Sequence, residues 1–458
     1  MCDSEISPLN VIILAAGKGT RMHSNTPKVL HRLAGTSLLG HVISTAELLN
    51  PNKVIVVYGY GGEAVPQAFA DRNITWVKQT KQLGTGHAVQ QTIPHLDANG
   101  TTLILLGDVP LVSLERCKAL VKAAHERLAL LTVIKAEPRG YGRIVRNINH
   151  LPQRIVEEKD ANETERAITE VNSGIIAVGN HYLKRWLANL DNKNAQGEYY
   201  LTDIVAMAAK DGVMVQAEIC EDEWQVTGIN SKQDLANAER IYQTHLAQKL
   251  LQNGVTLHDP ARLDIRGQLS TGKEVEIDIG CIFEGTVSLE DSVKIGAYCV
   301  IKNATIGANT VIAPFSHIDQ ATIANDCRIG PYARIRPGTL LNAESHIGNF
   351  VEIKNSKIDI GSKINHLSYV GDATVGKYVN IGAGVITCNY DGVNKSRTVI
   401  GDHAFIGSDA QLVAPVTIGE NATIGAGSTI TKDAPSGELT VSRGRQITVT
   451  GWKRPLKK

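Results

Sequence analysis

At 458 residues the chain is longer than one ordinary core supports, so two or three domains are expected. Apolar residues make up 43% and charged residues 20%, which argues against a disordered chain. A formal net charge of +1 argues against a broad basic surface for nucleic acid or acidic lipid, so any anion site must be local.

Seven cysteines are scattered singly with no Cys-x-x-Cys pair, which argues against a disulfide framework or a zinc site and for a reducing compartment. Met1-Cys2-Asp3-Ser4-Glu5 carries acids where a signal peptide needs a basic segment, and no apolar run approaches membrane-spanning length. A cytoplasmic protein is expected, with no nucleic-acid partner and no membrane insertion.

The first element is the apolar run Val11-Ile12-Ile13-Leu14-Ala15, read as a buried strand. Behind it Gly17-Lys18-Gly19-Thr20-Arg21 makes a tight turn whose bare amides can approach an anion. The spacing is neither a dinucleotide fingerprint nor a P-loop, because no Gly-x-Gly-x-x-Gly follows and the lysine precedes the second glycine. Three cations, Lys18, Arg21 and Lys28, suit a polyphosphate.

Strand-like runs at 54–58, 101–106 and 129–134 alternate with helix-like stretches up to about residue 230. That alternation predicts a mostly parallel sheet covered by helices, with ligands beyond the carboxyl ends of its strands. Asp108, in Gly107-Asp108-Val109-Pro110, stands at such a strand mouth, where a carboxylate beside a polyphosphate can hold Mg²⁺. The alternative is an Asp that shapes the turn before Pro110.

Over 231–252, Leu235, Ala238, Tyr242 and Leu246 recur at helical spacing, with Asn230-Ser231 as cap and Gly254 as stop. This helix would be a connecting arm. Beyond it an aliphatic or aromatic recurs every sixth residue: Ile277, Phe283, Leu289, Ile295 and Ile301, then Ile323, Ile329, Ile335, Leu341, Ile347 and Ile353. Ile400, Ile406, Leu412, Ile418, Ile424 and Ile430 repeat the pattern. Such spacing puts one inward side chain on each face of a triangular coil, with Gly or Asn relaxing the backbone near the corners. Stacked coils form a parallel β-helix, and the pattern resembles that of the left-handed ones, an exception to the right-handed crossover rule.

The ladder breaks between Ile381 and Ile400, where residues 387–395 are polar and turn-rich and must leave the prism as a loop. His366 lies shortly before it, beside inward aliphatics.

Five motifs in order resemble those of sugar-1-phosphate nucleotidyltransferases: residues 14–22 with Pro27-Lys28, Gln82-Leu83-Gly84-Thr85-Gly86-His87, Gly107-Asp108-Val109-Pro110, Gly140-Tyr141-Gly142-Arg143 and Gly197-Glu198-Tyr199-Tyr200. With the hexapeptide half behind them, nearly the whole chain resembles the bacterial bifunctional family of N-acetylglucosamine-1-phosphate uridyltransferase and glucosamine-1-phosphate N-acetyltransferase. The resemblance implies an α/β, Rossmann-like nucleotidyltransferase domain over 1–230, a linker helix over 231–253, and a left-handed β-helix acetyltransferase domain with a C-terminal tail over 254–458. It also implies acetylation of glucosamine-1-phosphate by acetyl-CoA, then Mg²⁺-dependent uridylyl transfer from UTP to N-acetylglucosamine-1-phosphate. The product, UDP-N-acetylglucosamine, would feed peptidoglycan and lipopolysaccharide precursors. In-line attack on the α-phosphorus would need positioning and charge neutralisation, with no covalent nucleophile.

By the same resemblance, Leu14, Ala15, Ala16 and Gly17 with Gln79, Gly84, Thr85, Leu106 and Gly107 would hold the nucleotide, and Arg21 and Lys28 its phosphates. Gly142, Glu157, Asn172 and Tyr200 would contact the N-acetylglucosamine moiety. Asp108 and Asn230 would share the metal, although an Asn at a helix start also serves as a cap. Leu106 stands where some relatives carry Tyr, a change of little weight if that position meets nucleotide through its backbone.

In the second half the resemblance makes His366 the general base that takes the proton of a primary amine, and Glu352 its acidic helper. Arg336, Lys354, Tyr369, Asn380 and Lys395 match sugar-phosphate contacts. Ala383, Ser408, Ala426 and Arg443 match acetyl-CoA contacts, and Asn389 with Tyr390 would stabilise the oxyanion. The basic tail from Gly451 either covers CoA phosphates or is solvated. Members of this β-helix class form trimers with acyl sites between prisms, so a homotrimer is implied. The competing reading makes the β-helix a stalk or regulatory module on a single-activity enzyme resembling ADP-glucose or GDP-mannose pyrophosphorylases. A stalk needs neither the loop nor His366 and Lys395 beside it.

Overall fold

The computed structural model describes residues 8–125, 127–455 and 457; residues 1–5 with Cys2, and Leu456 and Lys458 of the basic tail, lie outside the described residues. The chain divides into two compact units, Met1–Tyr242 and Gln243–Lys458. Among the described residues no helix is long and apolar enough to cross a membrane.

The first unit is built on a nine-stranded sheet whose main path runs Val215–Cys220, Leu128–Ile134, Glu170–Gly179, Thr101–Leu106, Leu9–Ala15, Lys53–Tyr58, Thr75–Lys78. Neighbours are parallel except around Glu170–Gly179, which runs antiparallel to both its partners. Val11, Ile13 and Ala15 enter one apolar core and Ile12 the other, the alternation a strand imposes when both sheet faces are covered. A hairpin of Arg143–Arg146 and Pro152–Val156 hangs from the antiparallel strand through Val171 and Arg143.

The helix Lys232–Gln252 begins one residue after the expected start. Its cap is Ser231: the Asp234 N–H donates to Ser231 Oγ (3.1 Å) and the Ser231 N–H to Asp234 Oδ2 (2.8 Å). The Asn230 side chain is therefore released from capping. In the first unit Leu235, Ala238 and Tyr242 pack on Leu33, Leu38 and Ile229. In the second unit Ala247 and Leu250 join the β-helix core. Gly254, with φ 89°, follows the helix end.

The second unit is the left-handed parallel β-helix of the hexads. Its strands of mostly two to four residues stack in parallel register and build three aliphatic columns. One runs Ile277, Ile295, Ile312, Ile329, Ile347, Ile364, Ile381 and on to Ile406 and Ile424. A second climbs from Phe283 through Ile301, Ile318, Ile335 and Ile353 to Val370. The third goes from Leu289 through Ile306, Ile323, Leu341, Ile358 and Val375 to Ile400 and Ile418. All belong to one buried core, so each coil closes the one beneath it.

The corners differ from expectation. Asn303, Asn309 and Asn355 do take left-handed backbone, but so do Tyr298, Phe315, Tyr332 and Phe350, at φ 54–61°. Their exposed rings stack with centroids 5.0–5.5 Å apart. Ring stacking, about 0.5–1.5 kcal/mol per pair, offsets a left-handed cost of about 1–2 kcal/mol per residue.

Candidate active sites

In the first unit three parallel strands, Leu9–Ala15, Lys53–Tyr58 and Thr101–Leu106, end side by side. The segments that follow bring Leu14, Ala15, Ala16 and Gly17 opposite Gln79, Gly84 and Thr85, with Leu106 and Asp108 on another wall, around a cleft of about 340 Å³. The Gly107 N–H donates to Leu14 O (2.9 Å) and ties two of these walls together. Gly84, at φ 110°, sits where a Cβ would strike the Tyr199 backbone at 2.5 Å, so only glycine admits that approach. Gln79 is buried, and its Nε2 donates to Gly84 O (3.1 Å) and faces His87 Nδ1 (3.0 Å). The Leu106 side chain, which lines the cleft, also lies against Gly174.

Lys18 and Arg21 are exposed on the loop, whereas Lys28 is anchored. Its ammonium forms an ion pair with Asp108 and donates to Asn230 Oδ1 (3.1 Å). Asn230 Nδ2 in turn donates to Gly228 O (3.3 Å). A carboxylate and a carbonyl oxygen thus converge on one positive charge.

Gly142, Glu157 and Asn172 form a cluster beside the antiparallel strand. The Asn172 N–H donates to Gly142 O (2.8 Å), and Glu157 Oε1 accepts from Thr202 Oγ1 (3.0 Å). Burial pushes the Glu157 carboxyl up, as do the charges of Asp160 and Glu198, against the Thr202 hydrogen bond. Burial and the charges of Asp191, Glu157 and Asp160 push the neighbouring Asp203 carboxyl to about 6. The Tyr200 hydroxyl donates to Asp160 Oδ2 (3.2 Å) and accepts from Gln196 Nε2 (3.0 Å), so it is engaged within the chain.

In the second unit Arg334, Glu352 and Tyr369 are successive ladder partners on one face. The Glu352 carboxylate carries Arg336 (2.7 Å) and Arg334 (3.6 Å). His366 ends the strand Lys363–His366 on the adjacent face, where Lys363 pairs in register with Asn380. The interrupting loop leaves between Ile386–Cys388 and Thr398–Ile400, closed by a bridge between Tyr390 and Lys395 and by Asp391, which accepts from the Val393 and Asn394 N–H groups. At its root Asn389 is buried and donates to Asp372 Oδ2. Burial pushes the Asp372 carboxyl up, but hydrogen bonds from Asn355 and Asn389 and the charges of Lys354 and Lys395 outweigh it and hold it below the usual range. Ala383, Ser408 and Ala426 mark successive coils: the Asp409 N–H donates to Ala383 O (2.7 Å), the Gly427 N–H to Ser408 O (2.8 Å), and Arg443 Nη1 to Ala426 O (2.9 Å).

Sequence reasoning had given no role to Gln82 and Glu198, which line the first cleft, or to Asp372 and Asn349, which hold Asn389 and His366. Residues 11–195 match the MobA-like NTP transferase domain, residues 265–349 the GMPPB C-terminal domain, and residues 397–432 the bacterial transferase hexapeptide family. The bifunctional protein GlmU of Methylobacillus flagellatus is 65% identical over 451 residues, 98% of each chain. Those of Nitrosospira multiformis and Thiobacillus denitrificans are 59% and 60% identical over 99% and 98% of each chain. With a strand-end cleft in one unit, a loop-bearing hexapeptide prism in the other, and this likeness over nearly its full length, the chain belongs to the GlmU family of bifunctional enzymes, which join a uridylyltransferase to an acetyltransferase.

Proposed function

We propose that the second unit acetylates glucosamine-1-phosphate with acetyl-CoA and the first transfers a uridylyl group from UTP to the product. In the uridylyl step an oxygen of the sugar phosphate attacks the α-phosphorus in line, the bond to the β-phosphate breaks, and pyrophosphate leaves. Residues 14–17 with Gln79, Gly84 and Thr85 hold the nucleotide, Arg21 and Lys28 neutralise its phosphates, and Gly142, Glu157 and Asn172 orient the sugar. Asp108 and Asn230 already face one cation, the Lys28 ammonium, which suits a Mg²⁺ site completed by phosphate oxygens and water. When bound, Mg²⁺ supplies further neutralisation of the leaving pyrophosphate.

In the acetyl step His366 takes a proton from the amine as its nitrogen bonds to the thioester carbon, and CoA leaves. Arg336, Lys354, Tyr369, Asn380 and Lys395 bind the sugar phosphate. Ala383, Ser408 and Ala426 leave room for CoA along the coils, with Arg443 at its phosphates and Asn389 and Tyr390 near the oxyanion. The observation that carries the bifunctional reading is the loop tied through Asn389 to Asp372, a carboxylate acted on by the charges of Lys354 and Lys395. A stalk has no use for it.

The β-helix assembles as a homotrimer, a reading supported by the exposed aromatic column. A cytoplasmic site of action is supported by free cysteines; burial pushes the thiols of Cys117 and Cys299 up to about 12. The purified enzyme should release CoA thiol from acetyl-CoA with glucosamine-1-phosphate, and pyrophosphate from UTP with N-acetylglucosamine-1-phosphate and Mg²⁺. Pyrophosphate without thiol would leave a single-activity nucleotidyltransferase.

A further inference from the structure

We propose that Asn349 is a positioning residue for acetyl transfer: its side-chain oxygen holds the His366 imidazole with the proton on Nδ1, leaving the Nε2 lone pair to receive the proton of the attacking amine. The inference rests on the acetyltransferase reading in which His366 is the base.

Asn349 ends the strand His346–Asn349, His366 ends Lys363–His366, and the two are partners in the parallel ladder. Side chains in register on neighbouring parallel strands leave the sheet in the same direction, one strand spacing apart. Asn349 Oδ1 accordingly stands 2.9 Å from His366 Nδ1. An amide oxygen only accepts, so the ring nitrogen that meets it must carry the hydrogen.

The backbone keeps this pair in place. His366 O accepts from Ser368 Oγ (2.8 Å) and from the Gly384 N–H (3.2 Å), while the Leu367 N–H donates to Asn349 O (3.1 Å). Gly348 permits the close approach of the two coils, because a Cβ there would lie 2.0 Å from Asn365 O. Asn349 and His366 line an open cleft of about 410 Å³ together with His346. Burial holds His346 below the usual histidine range, as do the positive charges of Arg328 and Lys363.

Glu352, by contrast, carries Arg336 and Arg334, and among the described residues no hydrogen bond or ion pair joins it to His366. Within this chain the ring is oriented by a neutral amide. Such a partner selects the tautomer without adding a negative charge that would hold the imidazolium. As the amine nitrogen bonds to the thioester carbon, its proton passes to Nε2. As the carbon–sulfur bond breaks, the CoA thiolate takes that proton and the ring returns to the starting tautomer.

The test measures kcat and KM of acetyl transfer against pH, with thermal unfolding alongside, for wild type, Asn349→Ala, Asn349→Asp and His366→Ala. Asn349→Ala frees the ring to adopt either tautomer, and turnover should fall about 10-fold or more with KM nearly unchanged. Asn349→Asp restores an acceptor but adds a charge, so it should recover most of the turnover and move the acidic limb of the kcat profile up by about one pH unit. Equal losses in both variants with the limb unmoved, or no loss in either, would overturn the assignment. A His366→Ala enzyme that acetylates normally would instead overturn the reading of His366 as base. If His366→Ala is inactive while both Asn349 variants behave as wild type, only the role of Asn349 fails.

Discussion

The side-chain amide of Asn389 donates to the carboxylate of Asp372, one coil below it, and the same carboxylate accepts from Asn355 Nδ2 at 2.5 Å. Asp372 is buried at a corner with φ 49°, so the root of the polar loop hangs from a charged group the prism itself holds rigid. Replacing Asp372 by Ala removes two charge-assisted hydrogen bonds and leaves the Asn389 amide without that acceptor. Catalytic efficiency of acetyl transfer should fall about 10- to 100-fold, the scale of 1.5–3 kcal/mol for a bond to a charged group. Pyrophosphate release serves as the control. Acetylation at the wild-type rate would detach this pair from loop positioning.

Asp108→Ala removes the carboxylate that faces Lys28, and Lys28→Met removes the ammonium. Each should depress pyrophosphate release at least about 10²-fold, the usual loss when a preorganised charge at a transferring group is deleted. Acetyl transfer should be untouched. Turnover of Asp108→Ala near the wild-type rate at saturating Mg²⁺ would sink the metal assignment.

The three aliphatic columns were legible because a six-residue period maps one residue onto each face, whatever the intervening side chains are. The aromatic corner was not, since left-handed backbone at Tyr298, Phe315, Tyr332 and Phe350 runs against single-residue preference and is compensated only between coils. Asn230 was ambiguous for a related reason: cap and ligand share its chemistry, and only the Ser231–Asp234 pairing frees its side chain. Asn349 and Asp372 carried a usable signal. Each lies 17 residues before its partner, one short of three hexads, so a repeat that allows one dropped residue per coil could have paired Asn349 with His366 and Asp372 with Asn389.

The raised carboxyl of Asp203 has a measurable consequence for stability. The folded state keeps a proton that the unfolded chain loses, so its contribution declines as pH rises from the ordinary value of 3.8 to about 6, and the cost is fully present above that. Because the side chain is only half buried, screening reduces the cost at neutral pH to about 1 kcal/mol. Asp203→Asn should therefore gain on wild type progressively, from little near pH 4 to about that amount above pH 6. Denaturant unfolding of the first unit across pH measures it. Parallel curves for the two proteins would show that Asp203 titrates alike folded and unfolded.

Gln243, overlooked in the apolar stripe of its helix, makes a two-point clamp in the second unit. Its Nε2 donates to Ile265 O and its Oε1 accepts from the Ile265 N–H, both at 2.8 Å, and the side chain is 2% exposed. Ile265 belongs to Leu263–Thr271, the end strand of its sheet, so the amide supplies bonds that a further strand would otherwise make. Gln243→Leu keeps the packing but leaves a buried N–H and C=O without these partners, at about 1–3 kcal/mol each. The second unit should then melt roughly 5–15 °C lower. Acetyl transfer should be lost on heating before uridylyl transfer, because the substitution strikes only one of the two cores. Gln243→Glu, which keeps the acceptor and loses the donor, should lie between. If Gln243→Leu melted with wild type and both activities failed together, the first coil would have to be held by its own ladder, and the clamp would carry no weight.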